Sequence, residues 1–290
     1  MARLERKNHG NSHSYLLDGD KVPGVTTVIG VLDKPALVGW AARETAAFAD
    51  DNWLRLSQLR SAERITEMEQ ARFHTNKTAV VQGNRVHAMA DRLARGEQVD
   101  VPLDILPMVE AYAKFLDRWQ FVTVMTETPV AHTAYRYAGT LDLVVESDRF
   151  GRTLLDVKTG KRVYPEVALQ LNAYKECDLR LIKGERVGPR GGKYVTWEEA
   201  PMPKIDTLLV AHVGDGPVEL VPVEMGDEWF DPFLHMLDIF ETWTKRVAWE
   251  YRNEDTHHSP IGDPIWPEDE QQPVLAGVEK SAGDPWLKGE

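Results

Sequence analysis

The chain has almost no cysteine: Cys177 is the only one in 290 residues. A single thiol excludes an internal disulfide framework, a four-cysteine zinc site and an iron–sulfur cluster held by one chain. Long apolar runs are missing as well. No stretch approaches the roughly eighteen residues a membrane-spanning helix needs, and the opening MARLERKNHG lacks the apolar core of a secretory signal. A cytoplasmic protein with no membrane partner is the expectation. Positive charge is also scarce. The 34 Lys and Arg stand against 46 Asp and Glu, a net charge of −12, which argues against coating nucleic acid by bulk electrostatics.

That charge is unevenly spread. Residues 254–290 hold nine acidic and two basic side chains, so the chain before them carries only −5. The same segment is punctuated by Pro260, Pro264, Pro267, Pro273 and Pro285 and reads as a flexible acidic tail behind one domain spanning 1–253. Such a tail would lie in a groove of the domain or dock on a partner protein. His257 and His258 within it have no carboxylate or histidine at a helical ligand spacing and read as solvent-exposed.

The chain is organised around residues 139–174, GTLDLVVESDRFGRTLLDVKTGKRVYPEVALQLNAY. Two apolar runs, Thr140–Glu146 and Thr153–Thr159, read as strands around a turn at Asp148–Gly151, and each carries one aspartate, Asp142 and Asp156. On an extended strand Asp156 and Lys158 leave the same face, while Leu155 and Val157 leave the other. A helix begins near Pro165 and sets Gln170 and Tyr174, four residues apart, on one face. An Asp-x-Lys tripeptide is ordinarily an exposed ion pair. Here both aspartates stand in apolar strands, where an ionised side chain is costly unless paired or metal-bound.

Around this stretch the pattern is mostly helical on the N-terminal side. HSYLLDGDKV reads as a short hairpin turning at Asp18–Asp20, followed by a helix from near Thr26 that stops before Pro35. Leu37, Trp40, Ala41, Glu44 and Phe48 form one stripe of a helix over 35–50, with Trp40 as packing. Residues 54–73 are charged and weakly helical. Thr78–Arg95 is a clearer helix, with Gly83, Val86, His87, Ala90 and Leu93 on one face, Asn84, Arg85, Asp91 and Arg92 elsewhere, and Gly96 as its stop. A histidine on an apolar face is ordinarily a core residue, and His87 in isolation is read so. An amphipathic helix opened by Asp104 and Pro107 carries Ile105, Met108, Val109, Tyr112, Phe115, Leu116 and Trp119 inward. Phe121–Val130 reads as a strand that includes Glu127.

Beyond the motif, residues 180–203 are rich in glycine, proline and basic side chains and read as a long loop. Asp206–Val213 and Val218–Glu224 read as a hairpin. A last helix, capped by Asp227 or Asp231, turns Phe230, Phe233, Leu234, Leu237, Phe240 and Val247 inward. Lys161, Arg162, Arg180, Lys183, Arg186, Arg190 and Lys193 would supply a phosphate-contacting rim that the net charge lacks, or simply solvate the surface. Gathered into one α/β fold, a central mixed β-sheet flanked by helices, these elements would set two carboxylates from adjacent strands as a half-cage. Mg²⁺ and Mn²⁺ prefer such oxygen donors, and the backbone carbonyl of Val157 would add another. Lys158 would orient or deprotonate an attacking water, and Gln170 and Tyr174 would hold a phosphate.

The order of GNRVH, GTLD, LDVKTG and QLNAY, behind PGVTTVIG and LVGWA, resembles the PD-(D/E)xK nuclease superfamily in its RecB-like, phage-type exonuclease branch, over about residues 13–250. Gly24 stands where that branch more usually has serine. The resemblance implies a restriction-endonuclease-like core and a metal-dependent DNA exonuclease of phage recombination or DNA processing. It implies His87, Asp142 and Asp156 at the metal, Lys158 as the catalytic lysine, and Gln170 and Tyr174 near the nucleic-acid backbone. Some relatives carry an iron–sulfur cluster, which Cys177 alone cannot hold. DNA, and a recombinase or single-strand-binding protein, are the partners expected. A structure-specific endonuclease and a non-catalytic nucleic-acid-binding subunit are the rival readings of the same residues.

Overall fold

The computed structural model describes residues 3–10, 12–187, 191–214 and 216–245, without the side chains of 74–79 and 193. Met1–Thr244 forms one compact unit. The expected acidic tail, the boundary at 253/254, Val247, Arg190, the Lys193 side chain, His257 and His258 lie outside what is described. No helix among the described residues is long and apolar enough to cross a membrane.

The core is a mixed seven-stranded sheet. Its strands are β4 (Val122–His132), β5 (Tyr137–Ser147), β6 (Gly151–Lys158), β7 (Leu179–Val187), β8 (Lys193–Pro201), β9 (Thr207–His212) and β10 (Glu219–Val223), in the order β10-β9-β6-β5-β4-β7-β8. The β6–β9 pair is parallel and the other pairs are antiparallel. Three short N-terminal strands, β1 (Leu4–His9), β2 (Ser12–Leu17) and β3 (Asp20–Val22), form a separate antiparallel sheet. It is tied to β5 by the Gly24–Ala138 bridge, and Arg136 donates to the Leu17 carbonyl at 3.2 Å.

Helices cover both faces of the large sheet. On one, α1 (Val25–Ile29), α6 (Glu166–Lys175) and α7 (Asp227–Ile239) pack Val28, Leu171 and Phe233 onto Leu141, Val144, Leu154 and Val210. On the other, α4 (Ser61–Ala94) and α5 (Leu106–Trp119) pack Val86, Ala90, Val109, Tyr112 and Phe115 onto Leu143, Val145, Leu155 and Val157. Both faces of β6 are therefore buried, which is why it reads as a near-continuous apolar run.

Four readings of the sequence need correction. Residues 180–203 are a β-hairpin, β7–β8, in full register from Leu179↔Pro201 to Val187↔Lys193. The glycines and basic residues near its tip hide strand-formers such as Tyr194, Val195, Thr196 and Trp197. Residues 54–95 hold α3 (Trp53–Leu56) and then one helix of 34 residues. Gly83 remains inside that helix because α4 passes so close to the turn after β6 that a Cβ would meet Thr159 Oγ1 at 3.0 Å. Helix α2 (Pro35–Asp51) covers the expected segment, but the stripe that holds Leu37 and Trp40 is not a packed core face, since the helix buries no residue fully and Leu37 is exposed. Finally, α7 is capped by Gly226, with no side-chain bond from Asp227 or Asp231, and runs on into a π-helical turn at Phe240–Thr244.

Candidate functional site

The register of the sheet explains where the acidic residues meet. In the β4–β5 ladder Thr126 pairs with Leu143 and Thr128 with Leu141, which sets Glu127 opposite Asp142. The β5–β6 ladder runs from Ser147↔Gly151 to Leu143↔Leu155 and stops. The next position would pair Asp142 with Asp156. Instead the strands part there, and Asp142 Oδ2 accepts the Val157 amide hydrogen at 2.8 Å, a side-chain bond replacing the ladder.

Alternation breaks at the same point. Leu141 and Val144, three residues apart, both enter the core beneath α6, whereas Leu143 and Val145 enter the core beneath α4. The irregularity turns Asp142 toward α4. Glu127 has φ of 43°, a left-handed conformation that a non-glycine residue adopts only when its surroundings hold it there. Two backbone irregularities in neighbouring strands thus aim two carboxylates at one helix.

That helix supplies His87. Its Nδ1 lies 3.4 Å from Asp142 Oδ2, and ligand atoms of His87, Glu127 and Asp142 all fall within 4.8 Å of one another. They line a cavity of about 10 Å³, near the least volume that holds one water-sized occupant. Val157 and Asp91 also line it. Asp91, which the helical pattern sets off the apolar face, is four residues beyond His87 and lies on the same side of the helix. Arg95 holds Asp91 at 2.5 Å.

Charge in this cluster is unbalanced. Burial first, and then the carboxylates of Asp142 and Asp91, push Glu127 up to about 7, against the pull of Arg6 and Arg95. The donor chemistry fits a divalent cation, since two carboxylates suit Mg²⁺ or Mn²⁺ and one imidazole is shared with borderline metals. A cation would also relieve the repulsion that raises Glu127.

Asp156, Lys158 and Gln170 form a second, adjoining group on the α6 side. Asp156 is 1% exposed. Lys158 Nζ lies 2.8 Å from Asp156 Oδ2, off the direction of a hydrogen bond, so that oxygen has an ionic partner and no donor. Gln170 Nε2 donates to Asp156 Oδ1 at 3.3 Å, and Lys158 Nζ donates to Gln170 Oε1 at 3.2 Å. Burial and the Asp142 charge raise the Asp156 carboxyl well above the usual range, and Lys158 opposes them. The turn after Lys158 is pinned by His212 Nε2, 2.7 Å from the Gly160 carbonyl oxygen.

The structure therefore distributes the expected residues over two groups. His87 and Asp142 meet with Glu127; Asp156, Lys158 and Gln170 meet with one another. Val157 bridges the two by giving its amide to Asp142. Tyr174, expected beside a nucleic-acid backbone, is 4% exposed, and its ring packs so tightly on Gly139 that a Cβ there would lie 2.3 Å from Cε1. This explains the glycine of GTLD. Of the expected basic rim, Lys161, Arg162 and Lys183 are exposed. Arg186 is paired with Glu198 at 3.4 Å, and Arg180 Nε donates to the Pro201 carbonyl at 3.1 Å.

Glu127 and Asp91 complete the cluster without a motif of their own in the sequence. The only local signal for Asp91 is its spacing from His87, and Glu127 becomes visible through pairing with β5, which is not a local property. No protein-family profile matches the chain, and no curated protein matches it.

Proposed function

We propose that the chain is a Mg²⁺- or Mn²⁺-dependent deoxyribonuclease acting as an exonuclease, of the PD-(D/E)xK type that its motifs resemble, in DNA recombination or processing. The observation that carries the reading is the convergence of His87, Glu127 and Asp142 to within 4.8 Å, next to a lysine on the neighbouring strand. His87, Glu127 and Asp142 would hold the ion, with Asp156 beside them. Once bound, it would act as a Lewis acid on the scissile phosphate and lower the pKa of a coordinated water.

The remaining work falls to side chains. An ammonium has three donors. Lys158 gives one to Gln170 Oε1 and pairs ionically with Asp156, which leaves donors for an attacking water or a phosphoryl oxygen. Gln170 bonds both members of the Asp156–Lys158 pair and so fixes the position of the ammonium. Such preorganisation is where electrostatic catalysis gains most.

The test uses two DNA substrates of one sequence, an end-labelled linear duplex and a covalently closed circle, with Mn²⁺ or Mg²⁺. An exonuclease shortens the linear form and spares the circle. Cleavage of the circle would replace this reading with the endonuclease one. No cleavage of either form by folded protein would leave only a binding role.

A further inference from the structure

Arg6 stands out among the described cations near the acidic cluster. Its Nε is buried and has no hydrogen-bond partner, and no ion pair satisfies its guanidinium among the described residues. Arg95, the other cation acting on Glu127, is bound by Asp91 and Glu97, and Lys158 is bound by Asp156. Buried unpaired donors are rare in folded proteins, because each costs the free energy of a lost hydrogen bond.

The placement of Arg6 is fixed by pairing. Arg6 stands opposite Tyr15 in the β1–β2 ladder, and His13 is two residues from Tyr15, so the three side chains share one face of the small sheet. The Tyr15 hydroxyl lies 2.8 Å from Thr140 Oγ1, two residues before Asp142. The His13 and Tyr15 rings meet edge to face at 5.2 Å. Arg6 acts electrostatically on His13, Tyr15 and Glu127 alike. The N-terminal sheet thus brings a cation and two aromatic rings beside the strand that carries Asp142.

We propose that Arg6 binds a backbone phosphate of the nucleic-acid substrate, next to the one that is cut, with Tyr15 holding it in place through Thr140. A guanidinium presents a planar fork of donors matched to phosphate oxygens. The Arg6 guanidinium has no ion-pair partner among the described residues, and a substrate phosphate would supply one to the nitrogens beyond the buried Nε. The proposal rests on the nuclease reading, since it assigns the anion as DNA.

The test measures binding of a short labelled oligonucleotide by fluorescence anisotropy at several salt concentrations, for the wild type, Arg6→Gln and Arg6→Lys, alongside thermal melting. Each phosphate neutralised contributes about 0.7 to 0.9 to the slope of log affinity against log salt. Arg6→Gln is expected to weaken binding about tenfold and to flatten that slope by about one phosphate, while Arg6→Lys keeps the slope. Replacing single phosphates with neutral methylphosphonates gives an independent cycle. At one linkage other than the scissile one, the loss seen with wild type is expected to shrink in Arg6→Gln, or in Arg6→Met if the former does not fold, and to persist in Arg6→Lys. Wild-type binding and cleavage with an unchanged slope in Arg6→Gln, or additive losses at every linkage, would overturn the role of Arg6 alone. Absence of binding and cleavage by the wild type would instead overturn the nuclease reading beneath it.

Discussion

The Asp142 carboxylate and the Val157 amide form a 2.8 Å hydrogen bond at the point where β5 and β6 part. The same carboxylate closes a strand junction and faces His87. Asparagine keeps an acceptor for the amide but loses the charge; alanine loses both. Asp142→Ala is expected to destabilise the fold by about 1–3 kcal/mol through the orphaned amide, whereas Asp142→Asn keeps most of the stability. Both lose divalent-ion binding. Urea unfolding and calorimetric Mn²⁺ titration separate the two effects.

Glu127 gives the metal-free protein a pH signature. Its folded value, pushed up to about 7 by burial and neighbouring carboxylates, exceeds the ordinary 4.5, so the folded state binds more protons than the unfolded state between those values. Stability then falls as pH rises from about 4.5 through 7. Glu127→Gln is expected to flatten this fall, and saturating Mn²⁺ to offset it in the wild type alone. Melting temperatures from pH 4 to 8 provide the check.

Lys158→Ala removes the ionic partner of the fully buried Asp156. Breaking a buried pair costs about 3–5 kcal/mol when the remaining charge cannot neutralise. The Asp156 carboxyl is already raised by burial, so it escapes that cost by taking a proton at low pH. The variant is expected to be close to wild type in stability near pH 4 and progressively weaker toward pH 8, with cleavage absent throughout. A stability loss independent of pH would mean that Asp156 stays neutral in the folded protein.

Gly139 and Tyr174 are packed too closely for any side chain at 139. Gly139→Ala is expected to cost about 1–3 kcal/mol by overpacking, and Tyr174→Ala about 3–5 kcal/mol by leaving a cavity. Because they share one contact, the double variant should lose less than the sum. Additive losses in denaturant unfolding would show that the ring moves aside freely.

Much of the frame is legible in the sequence because its signals are local. Thr140–Glu146 and Thr153–Thr159 mark β5 and β6 within a few residues, since apolar strands between turn residues are visible without knowing their neighbours. The amphipathic stripe of Val109, Tyr112 and Phe115 locates α5 for the same reason. The site is only partly legible. Asp156 and Lys158 share a face by simple alternation, but the break in alternation at Asp142 depends on the fork between β5 and β6. Glu127 joins the cluster through its register with β5 and a positive φ, and neither is written in the residues around it. The β7–β8 hairpin was hidden by glycine and basic residues that resemble a loop when its cross-strand pairs are unknown.

The position of a bound cation bears most directly on the metal centre. Crystals soaked in Mn²⁺ and measured at a wavelength where manganese scatters anomalously should show a peak among His87 Nδ1 or Nε2, a Glu127 oxygen and an Asp142 oxygen, lost in Asp142→Asn. A peak elsewhere, or none at millimolar Mn²⁺, would contradict a metal centre built on these three residues.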